Sequence, residues 1–343
     1  EEGRHSEERI LKADLVMKSP GIPDTVPIVS KLVEKGISVI SEIEFASRYT
    51  DAFIIGITGS NGKTTTTMLT HHILKNGGLH VGMAGNIGDS FAQMVAENDY
   101  DYYVLEISSF QLDVIVDLKP DIAVITNITP DHLDRYDYKF ENYIASKFRI
   151  AMNQSHEDMF LYDLDDPVLT EWLGEHPIRP KTYPFSLEQK PEIGACIKNQ
   201  NILIRTPNNT IEMRTDAFAL SGKHNLKNTM AASTVASLVG IRKETIRNSI
   251  VQYSDKSEEE AFKGLVETLR TINPGRDNKR EWDSIRVTCN EILNDWGNVE
   301  KQILLKKLLT RLGTIYPGSS NKAEWDAIRR VSNQIVNNLE EVF

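Results

Sequence analysis

The sequence has little cysteine and no long apolar run. Its 343 residues include two cysteines, Cys196 and Cys289. Two are too few for a disulfide framework or a cysteine-rich zinc site, and such low usage is typical of a reducing compartment. No stretch approaches the ~18 apolar residues that a membrane-spanning helix needs. We therefore expect a cytoplasmic protein with no membrane partner.

Positive charge is also scarce. Lys and Arg number 39 against 49 Asp and Glu, which gives a formal net charge of −10. A general nucleic-acid-binding protein needs a basic face, so we expect no nucleic-acid partner. A local basic pocket for an anionic substrate is still compatible with this balance. The length predicts two or three domains.

Strands and helices alternate along most of the chain. Apolar, β-branched runs at residues 52–58, 102–108 and 121–129 predict buried strands. Residues 195–215 predict a small hairpin section, and residues 225–240 predict a helix. This alternation predicts an α/β fold with a mainly parallel sheet and helices on both of its faces.

Residues 254–343 have a different character, because they are polar and helical in pattern and contain no convincing strand. Residues 269–292 and 312–335 are two copies of an internal repeat, and both contain Asn-Lys-x-Glu-Trp-Asp-x-Ile-Arg. Each copy predicts a capped amphipathic helix whose tryptophan packs inward. A nucleic-acid face is the alternative that we weigh against this interpretation. We expect an all-α segment that could recruit a protein partner.

A glycine-rich stretch, "GITGSNGKTTTT" at residues 56–67, follows a buried strand and opens a helix. The strict Walker pattern would need a glycine at Ile57, so the match is not strict. Backbone N–H groups and the helix N-terminus would still face phosphate oxygens, Lys63 would reach the β- and γ-phosphates, and Thr64 would face Mg²⁺. The alternative is a turn without a ligand. The predicted nucleotide-binding residues here are Gly59, Ser60, Asn61, Gly62, Lys63, Thr64 and Thr65.

Polar side chains stand where two other predicted strands end. Glu106 ends one strand, and Asn127, Asp131 and His132 follow another. In a parallel sheet the ligand crevice lies outside the carboxyl ends of the strands. A carboxylate and an imidazole at this edge could hold Mg²⁺ against a triphosphate. Taken singly, each residue could be an ordinary polar group at a strand end.

Six motifs together resemble the ATP-binding central domain of the Mur ligases. They are "GITGSNGKTTTT", "GNIG", "LEISSFQLD", "TNITPDHLDRY", "YIASKFRI" and "GKHNLKNTMAA", and they occur in family order. The resemblance covers roughly the first 250 residues. It implies a P-loop central domain at 51–253, preceded at 1–50 by a remnant of the UDP-substrate-binding domain and followed at 254–343 by the helical segment.

The resemblance also implies a reaction. Mur ligases use ATP and Mg²⁺ to pass the γ-phosphate to a substrate carboxylate, and an amine then attacks the acyl phosphate to form an amide. "SSFQL" and "DHLDRY" resemble the branch of the family that adds D-glutamate to UDP-N-acetylmuramoyl-L-alanine. The implied role is peptidoglycan precursor synthesis, with these two molecules as substrates.

The resemblance implies roles for individual residues. The catalytic residues would be Lys63, Glu106, His132 and Lys147. The metal-binding residues would be Thr64, Glu106, His132 and Lys147, with Lys147 carbamylated. Asn225 and Asn228 would contact the nucleotide, and Asn86, Ser108 and Thr129 would line the muramoyl substrate site. As alternatives, Lys147 is an ordinary solvated helix lysine, and the two asparagines cap a helix.

The sequence departs from the family pattern at both ends. We expect the first domain to be truncated, and we recognise no third domain after about residue 250. A chain of this kind could bind Mg-ATP and turn over poorly. The competing hypotheses are a non-catalytic nucleotide-binding scaffold whose helical tail binds a partner, and an artificial fusion.

Overall fold

The computed structural model describes residues 6–23, 25–207, 209–215 and 222–253. The predictions made for residues 254–343, including both repeats, lie outside the described residues. The described residues between 6 and 214, together with residues 227–247, form one compact unit. The remaining described residues belong to a second unit. All candidate site residues except Asn225 belong to the first unit.

The strands are short, and most are apolar. They are β1 (Leu15–Met17), β2 (Ser38–Ile40), β3 (Phe53–Thr58), β4 (Val81–Gly85), β5 (Tyr102–Glu106), β6 (Ile122–Ile125), β7 (Met159–Asp163), β8 (Lys181–Ser186), β9 (Gly194–Lys198), β10 (Asn201–Thr206) and β11 (Asn209–Arg214).

Helices separate most of the strands. They are α1 (Glu7–Ile10), α2 (Pro27–Glu34), α3 (Glu42–Ser47), α4 (Lys63–Asn76), α5 (Phe91–Glu97), α6 (Ser109–Leu112), α7 (Phe140–Phe148), α8 (Pro167–Glu175) and α9 (Lys223–Val239). A further helix begins at residue 243. Short 3₁₀ helices lie at Leu133–Arg135 and Arg149–Ala151.

Nine strands form one sheet in the order β11-β10-β9-β8-β7-β6-β3-β5-β4. All neighbouring pairs from β4 to β9 are parallel, and β9, β10 and β11 pair antiparallel. The strands β1 and β2 form a separate parallel pair. The prediction of an α/β fold with a mainly parallel sheet is therefore confirmed, as is the hairpin section at residues 195–215.

The central strands are buried on both faces, since consecutive residues along them are buried, which explains why they are nearly continuous apolar runs. In β3, every residue from Ile54 to Thr58 is buried, and β6 is buried along its whole length. The strands β4, β7 and β8 were not predicted from the sequence. The carboxyl ends of β3, β5 and β6 meet at one edge of the sheet, and the loop that follows β3 lies there.

Candidate functional site

Two glycines shape the loop between β3 and α4. Gly59 has φ +146°, and a Cβ built on it would lie 1.9 Å from the Thr126 hydroxyl oxygen. Gly62 has φ +80° and is the N-cap of α4, and a Cβ there would lie 2.4 Å from Asn228 Oδ1. Only glycine fits both positions without strain or displacement of neighbours. The tight loop leads directly into the N-terminus of α4, where the first N–H groups of a helix have no partner within the helix.

The loop is anchored to the end of β6. The Ser60 N–H donates to Asn127 O at 2.9 Å, and the Asn61 N–H donates to Asn127 Oδ1 at 2.9 Å. Thr126 Oγ1 donates to Asn61 O at 2.6 Å. Ser60 Oγ donates to Thr129 O and accepts from the Thr129 N–H, both at 2.9 Å. The structure therefore brings Thr129, a predicted substrate residue, into contact with the loop.

Lys63 begins α4 and folds back over the loop. Its Nζ donates to Gly59 O at 2.9 Å and to Ser60 O at 3.0 Å. Burial lowers the pKa of Lys63 from its ordinary value, while the carboxylates of Glu106 and Asp131 act in the opposite direction. The ammonium group is thus held at the mouth of the phosphate loop, close to two carboxylates.

Glu106 ends β5 beside the loop and is only 2% exposed. Its Oε2 accepts from the Thr64 hydroxyl at 2.8 Å, and its Oε1 accepts from Asn86 Nδ2 at 2.8 Å. Three predicted site residues from α4, β5 and the turn after β4 therefore meet at one point. A buried carboxylate with an adjacent hydroxyl offers the oxygen ligands that Mg²⁺ prefers.

Lys147 comes from α7 and is 2% exposed, so the alternative of a solvated helix lysine is wrong. Its Nζ donates to Gly59 O at 2.8 Å and lies 4.6 Å from the centre of the Tyr143 ring. The Tyr143 hydroxyl in turn lies 3.2 Å from Ser60 Oγ. Burial, together with the nearby charge of Lys63, lowers the pKa of Lys147 to about 7.

His132 lies apart from this group. Its side chain is 54% exposed and its backbone is left-handed, with φ +49°. Its Nε2 is 3.5 Å from Asp131 Oδ2, and its ring centre is 5.2 Å from that of Phe110. Within the described part of the chain, no contact joins His132 to Glu106 or Lys147. No group of three or more His, Cys, Asp or Glu side chains among the described residues is arranged to hold a metal ion.

The other predicted residues have the following positions. Asn228 is buried in α9, and its Oδ1 accepts from the Thr66 hydroxyl at 3.3 Å, so it lies beside the loop helix. Asn225 lies in the first turn of α9. Thr65 lies in the first turn of α4. Ser108 caps α6 in a reciprocal capping box with Gln111, which gives it a structural role whatever else it does.

Sequence reasoning missed two features of this region. Tyr143, which links the loop to Lys147, is one aromatic residue in a helix of mixed pattern, and nothing in its spacing distinguishes it. Asp163 and Asp165, which bind Lys227, were also missed. A usable signal existed for Asp163, because it directly follows the apolar stretch "MFLY" at the end of a strand.

The chain also matches known proteins in sequence. Residues 57–236 match the family model described as the Mur ligase middle domain, which is more than half of the chain. The chain belongs to the Mur ligase family.

Two curated relatives illustrate the similarity. A UDP-N-acetylmuramoylalanine–D-glutamate ligase of Christiangramia forsetii is 60% identical over 253 residues, which cover 74% of this chain and 57% of the relative. The enzyme of the same name from Bacteroides fragilis is 53% identical over 253 residues, with the same two coverages. The chain therefore spans a little over half the length of these relatives.

Solved structures share the fold at low sequence identity. One is a UDP-N-acetylmuramate:L-alanyl-gamma-D-glutamyl-meso-diaminopimelate ligase from Neisseria meningitides, with a TM-score of 0.51 and 18% identity over 70% of this chain and 78% of that one. Another is a UDP-N-acetylmuramoyl-L-alanyl-D-glutamate–2,6-diaminopimelate ligase, with a TM-score of 0.51 and 19% identity over 69% of this chain and 59% of that one. They support the Mur ligase fold.

In the described part of the chain, no helix is both long and apolar enough to cross a bilayer.

Proposed function

We propose that this chain carries the nucleotide-binding core of an ATP-dependent, cytoplasmic enzyme that adds D-glutamate to UDP-N-acetylmuramoyl-L-alanine in peptidoglycan precursor synthesis. The main support is that relatives sharing 53–60% of aligned residues carry that enzyme's name. The convergence of Lys63, Thr64, Glu106 and Lys147 on one loop supports the same assignment, because it matches the charges that phosphoryl transfer has to balance.

The residues around the loop suit a magnesium ion. The hydroxyl of Thr64 and the buried carboxylate of Glu106 lie 2.8 Å apart. Mg²⁺ usually takes one or two protein oxygens and completes its shell with phosphate oxygens and water. We propose that Thr64 and Glu106 hold one such ion. The family resemblance assigns a second ion to His132 and Lys147, which have no contact with each other in the described part of the chain. The bound metal would neutralise charge on the transferring phosphoryl group.

Lys147 suits the carbamylated role that the family resemblance implies. An amine must be neutral to react with carbon dioxide, and burial already lowers the pKa of this group to about 7. Carbamylation would replace a buried cation with an anion beside Lys63. It would also supply oxygen atoms that a hard metal ion can accept.

The chain's own residues would then do three things during the reaction. The N-terminus of α4 and Lys63 would hold the triphosphate while a carboxylate oxygen of the muramoyl substrate attacks the γ-phosphorus and the bond to ADP breaks. Asn86, Ser108 and Thr129 would orient that substrate, and Asn225 and Asn228 the nucleotide. The amine of D-glutamate would then attack the acyl carbon, and phosphate would leave with loss of a proton from nitrogen.

Calorimetric titration of Mg-ATP into the purified chain tests the nucleotide site. We expect binding that Lys63→Ala weakens about a hundredfold, because this lysine is the one positively charged residue within the loop sequence at 59–65. Lys75→Ala, which alters an exposed lysine of the same helix, should bind like the wild type. Equal affinities of Lys63→Ala and the wild type would contradict the assignment of the loop.

Phosphate release with UDP-N-acetylmuramoyl-L-alanine and D-glutamate tests the reaction itself. We expect release that requires both substrates. Mg-ATP binding without any such release would instead support the alternative of a nucleotide-binding scaffold. A protein partner for residues 254–343 stays a prediction, which a pull-down with the full chain against a chain ending at residue 253 would test.

A further inference from the structure

An ion-pair cluster lies at the sheet edge next to the phosphate loop. Lys227 Nζ lies 3.0 Å from Asp163 Oδ1, 2.7 Å from Asp163 Oδ2 and 3.2 Å from Asp165 Oδ2. The two carboxylates are 5% and 6% exposed. A buried ion pair of this kind contributes little net stability, but it strongly constrains the positions of its members.

Both aspartates are themselves held in place by the sheet. Asp163 is the last residue of β7, and its Oδ1 accepts from the Asp165 N–H at 3.0 Å. Asp165 also accepts from the Ser186 hydroxyl at the end of β8 and from the Leu187 N–H at 2.8 Å. The cluster is therefore a fixed point attached to the carboxyl ends of two strands, and α9 is bound to it through Lys227.

The next residue along α9 faces the phosphate loop. Asn228 Oδ1 accepts from the Thr66 hydroxyl at 3.3 Å and lies close enough to Gly62 that no side chain would fit there. Consecutive helix residues differ by a rise of about 1.5 Å and a rotation of about 100°, so fixing Lys227 also fixes where Asn228 points. The bond from Thr66 to Asn228 is already long at 3.3 Å, so even a small displacement of Asn228 would break it.

We propose that Lys227 is a positioning residue for nucleotide binding, which acts by holding Asn228 against the phosphate loop through its bonds to Asp163 and Asp165. This inference rests on the proposed function, because it concerns the same nucleotide site. It assigns Lys227 no contact with the nucleotide. Loss of Lys227 should weaken Mg-ATP binding through Asn228 alone.

A double-mutant cycle on Mg-ATP affinity, measured by calorimetry with the full chain, tests this coupling. We expect Lys227→Met to raise the dissociation constant about tenfold in the wild-type background. In the Asn228→Ala background the same change should raise it by less than twofold. Lys227→Arg should restore most of the affinity, and Lys243→Met, at an exposed position, should change nothing.

A second variant serves as a control for effects on folding and on charge. The double variant Lys227→Met with Asp165→Asn has the same net charge as the wild-type cluster. It leaves one buried carboxylate without its lysine, whereas Lys227→Met leaves two. It can therefore be measured if Lys227→Met alone does not fold. It should show the same loss and the same dependence on Asn228. Losses that are equal in both backgrounds, or an affinity equal to that of the wild type, would overturn the inference while leaving the proposed function intact. Failure of the wild type to bind Mg-ATP would overturn both.

Discussion

At the scale of single residues, two lysines share one carbonyl oxygen. The Nζ atoms of Lys63 and Lys147 both donate to Gly59 O, at 2.9 and 2.8 Å. Two ammonium groups this close repel each other, and the interior offers little solvent screening. Nearby carboxylates partly offset that repulsion. The site therefore concentrates positive charge in a chain whose net charge is −10, as binding of a triphosphate requires.

Lys147 should make the stability of the fold depend on pH. Its pKa is about 7 in the folded protein and near the ordinary 10.5 when unfolded, so between these values the unfolded chain binds more protons. The free energy of unfolding should therefore rise with pH across this window. We expect Lys147→Met to be more stable than the wild type at pH 7, by roughly 2 kcal/mol or more because one pKa unit corresponds to about 1.4 kcal/mol.

That difference should shrink as pH rises from 7 towards 10.5, because the proton that Lys147 gives up on folding becomes steadily easier to remove. Urea denaturation of both proteins at pH 7 and pH 9.5, in buffers free of carbon dioxide, measures it. Lys75→Met, at an exposed position, provides the matched control and should show no trend with pH. A gap between Lys147→Met and the wild type that stays constant with pH would contradict the lowered pKa.

Gly59→Ala should damage the phosphate loop specifically. The new Cβ would lie 1.9 Å from the Thr126 hydroxyl oxygen, at a backbone φ of +146° that L-residues rarely adopt. We expect a loss of stability of about 2 kcal/mol and loss of Mg-ATP binding. Thermal unfolding and calorimetry measure the two effects. Gly174→Ala meets nothing within 4 Å in α8 and should be neutral or slightly stabilising, so similar losses in both variants would contradict the prediction.

At the scale of elements, α4 and α9 run side by side in the same direction. Their starts meet where Thr66 bonds Asn228, and near their ends Gly77 lies against Ile241. Several hydroxyl groups on the two helices are buried and make no hydrogen bond to any described residue. They belong to Thr67, Thr70, Thr229, Ser233 and Ser237. A buried hydroxyl without a partner costs free energy, so these helices are not packed for maximal stability.

Ser233→Ala should therefore stabilise the protein. The change removes a buried hydroxyl that bonds no described residue and improves helix propensity, and we expect a gain of about 1 kcal/mol in the free energy of unfolding. Ser30→Ala, at an exposed position in α2, isolates the propensity effect and should gain less than half as much. Chemical denaturation of both variants measures the difference. Destabilisation by Ser233→Ala would indicate that its hydroxyl has a partner.

At the scale of the compact unit, Glu44 joins α3 to a distant loop. Its fully buried carboxylate accepts from the backbone N–H groups of Val116, Asp117 and Leu118 at 2.9–3.2 Å. Arg48 Nη2 donates to the same carboxylate at 2.8 Å. The helix α3 precedes the predicted domain boundary at residues 50 and 51, yet Ile43 and Ala46 of this helix belong to the same hydrophobic core as β5 and β6.

Glu44→Gln should destabilise the unit as a whole. The substitution keeps the side chain's shape, but it removes the charge and turns one acceptor into a donor that faces other donors. We expect a loss of about 3 kcal/mol, typical of a broken buried charge pair, and no change in the cooperativity of unfolding. Glu171→Gln, on the exposed side of α8, is the control and should be neutral. A loss below about 0.5 kcal/mol would contradict this account of Glu44.

The sequence by itself determined the parallel α/β fold, the phosphate loop and the residues at the ends of β5 and β6. These features follow from local patterns, because a buried parallel strand needs a continuous apolar run and a tight phosphate loop needs glycine. The antiparallel strands β9, β10 and β11 were also predictable from a local pattern, because turn residues separate them. Strands β4 and β8 were missed because glycines interrupt the first and polar residues and a proline interrupt the second, whereas β7 has an apolar run that could have been recognised.

Only the tertiary structure decided which of these side chains contact each other. Thr64 and Glu106 lie 42 residues apart, Gly59 and Lys147 lie 88 apart, and Asp163 and Lys227 lie 64 apart. Burial and the order of strands in the sheet bring these groups together. Neither can be deduced from the spacing of residues along the sequence. The lowered pKa of Lys147 has the same origin, because desolvation depends on all the atoms that surround a group in space.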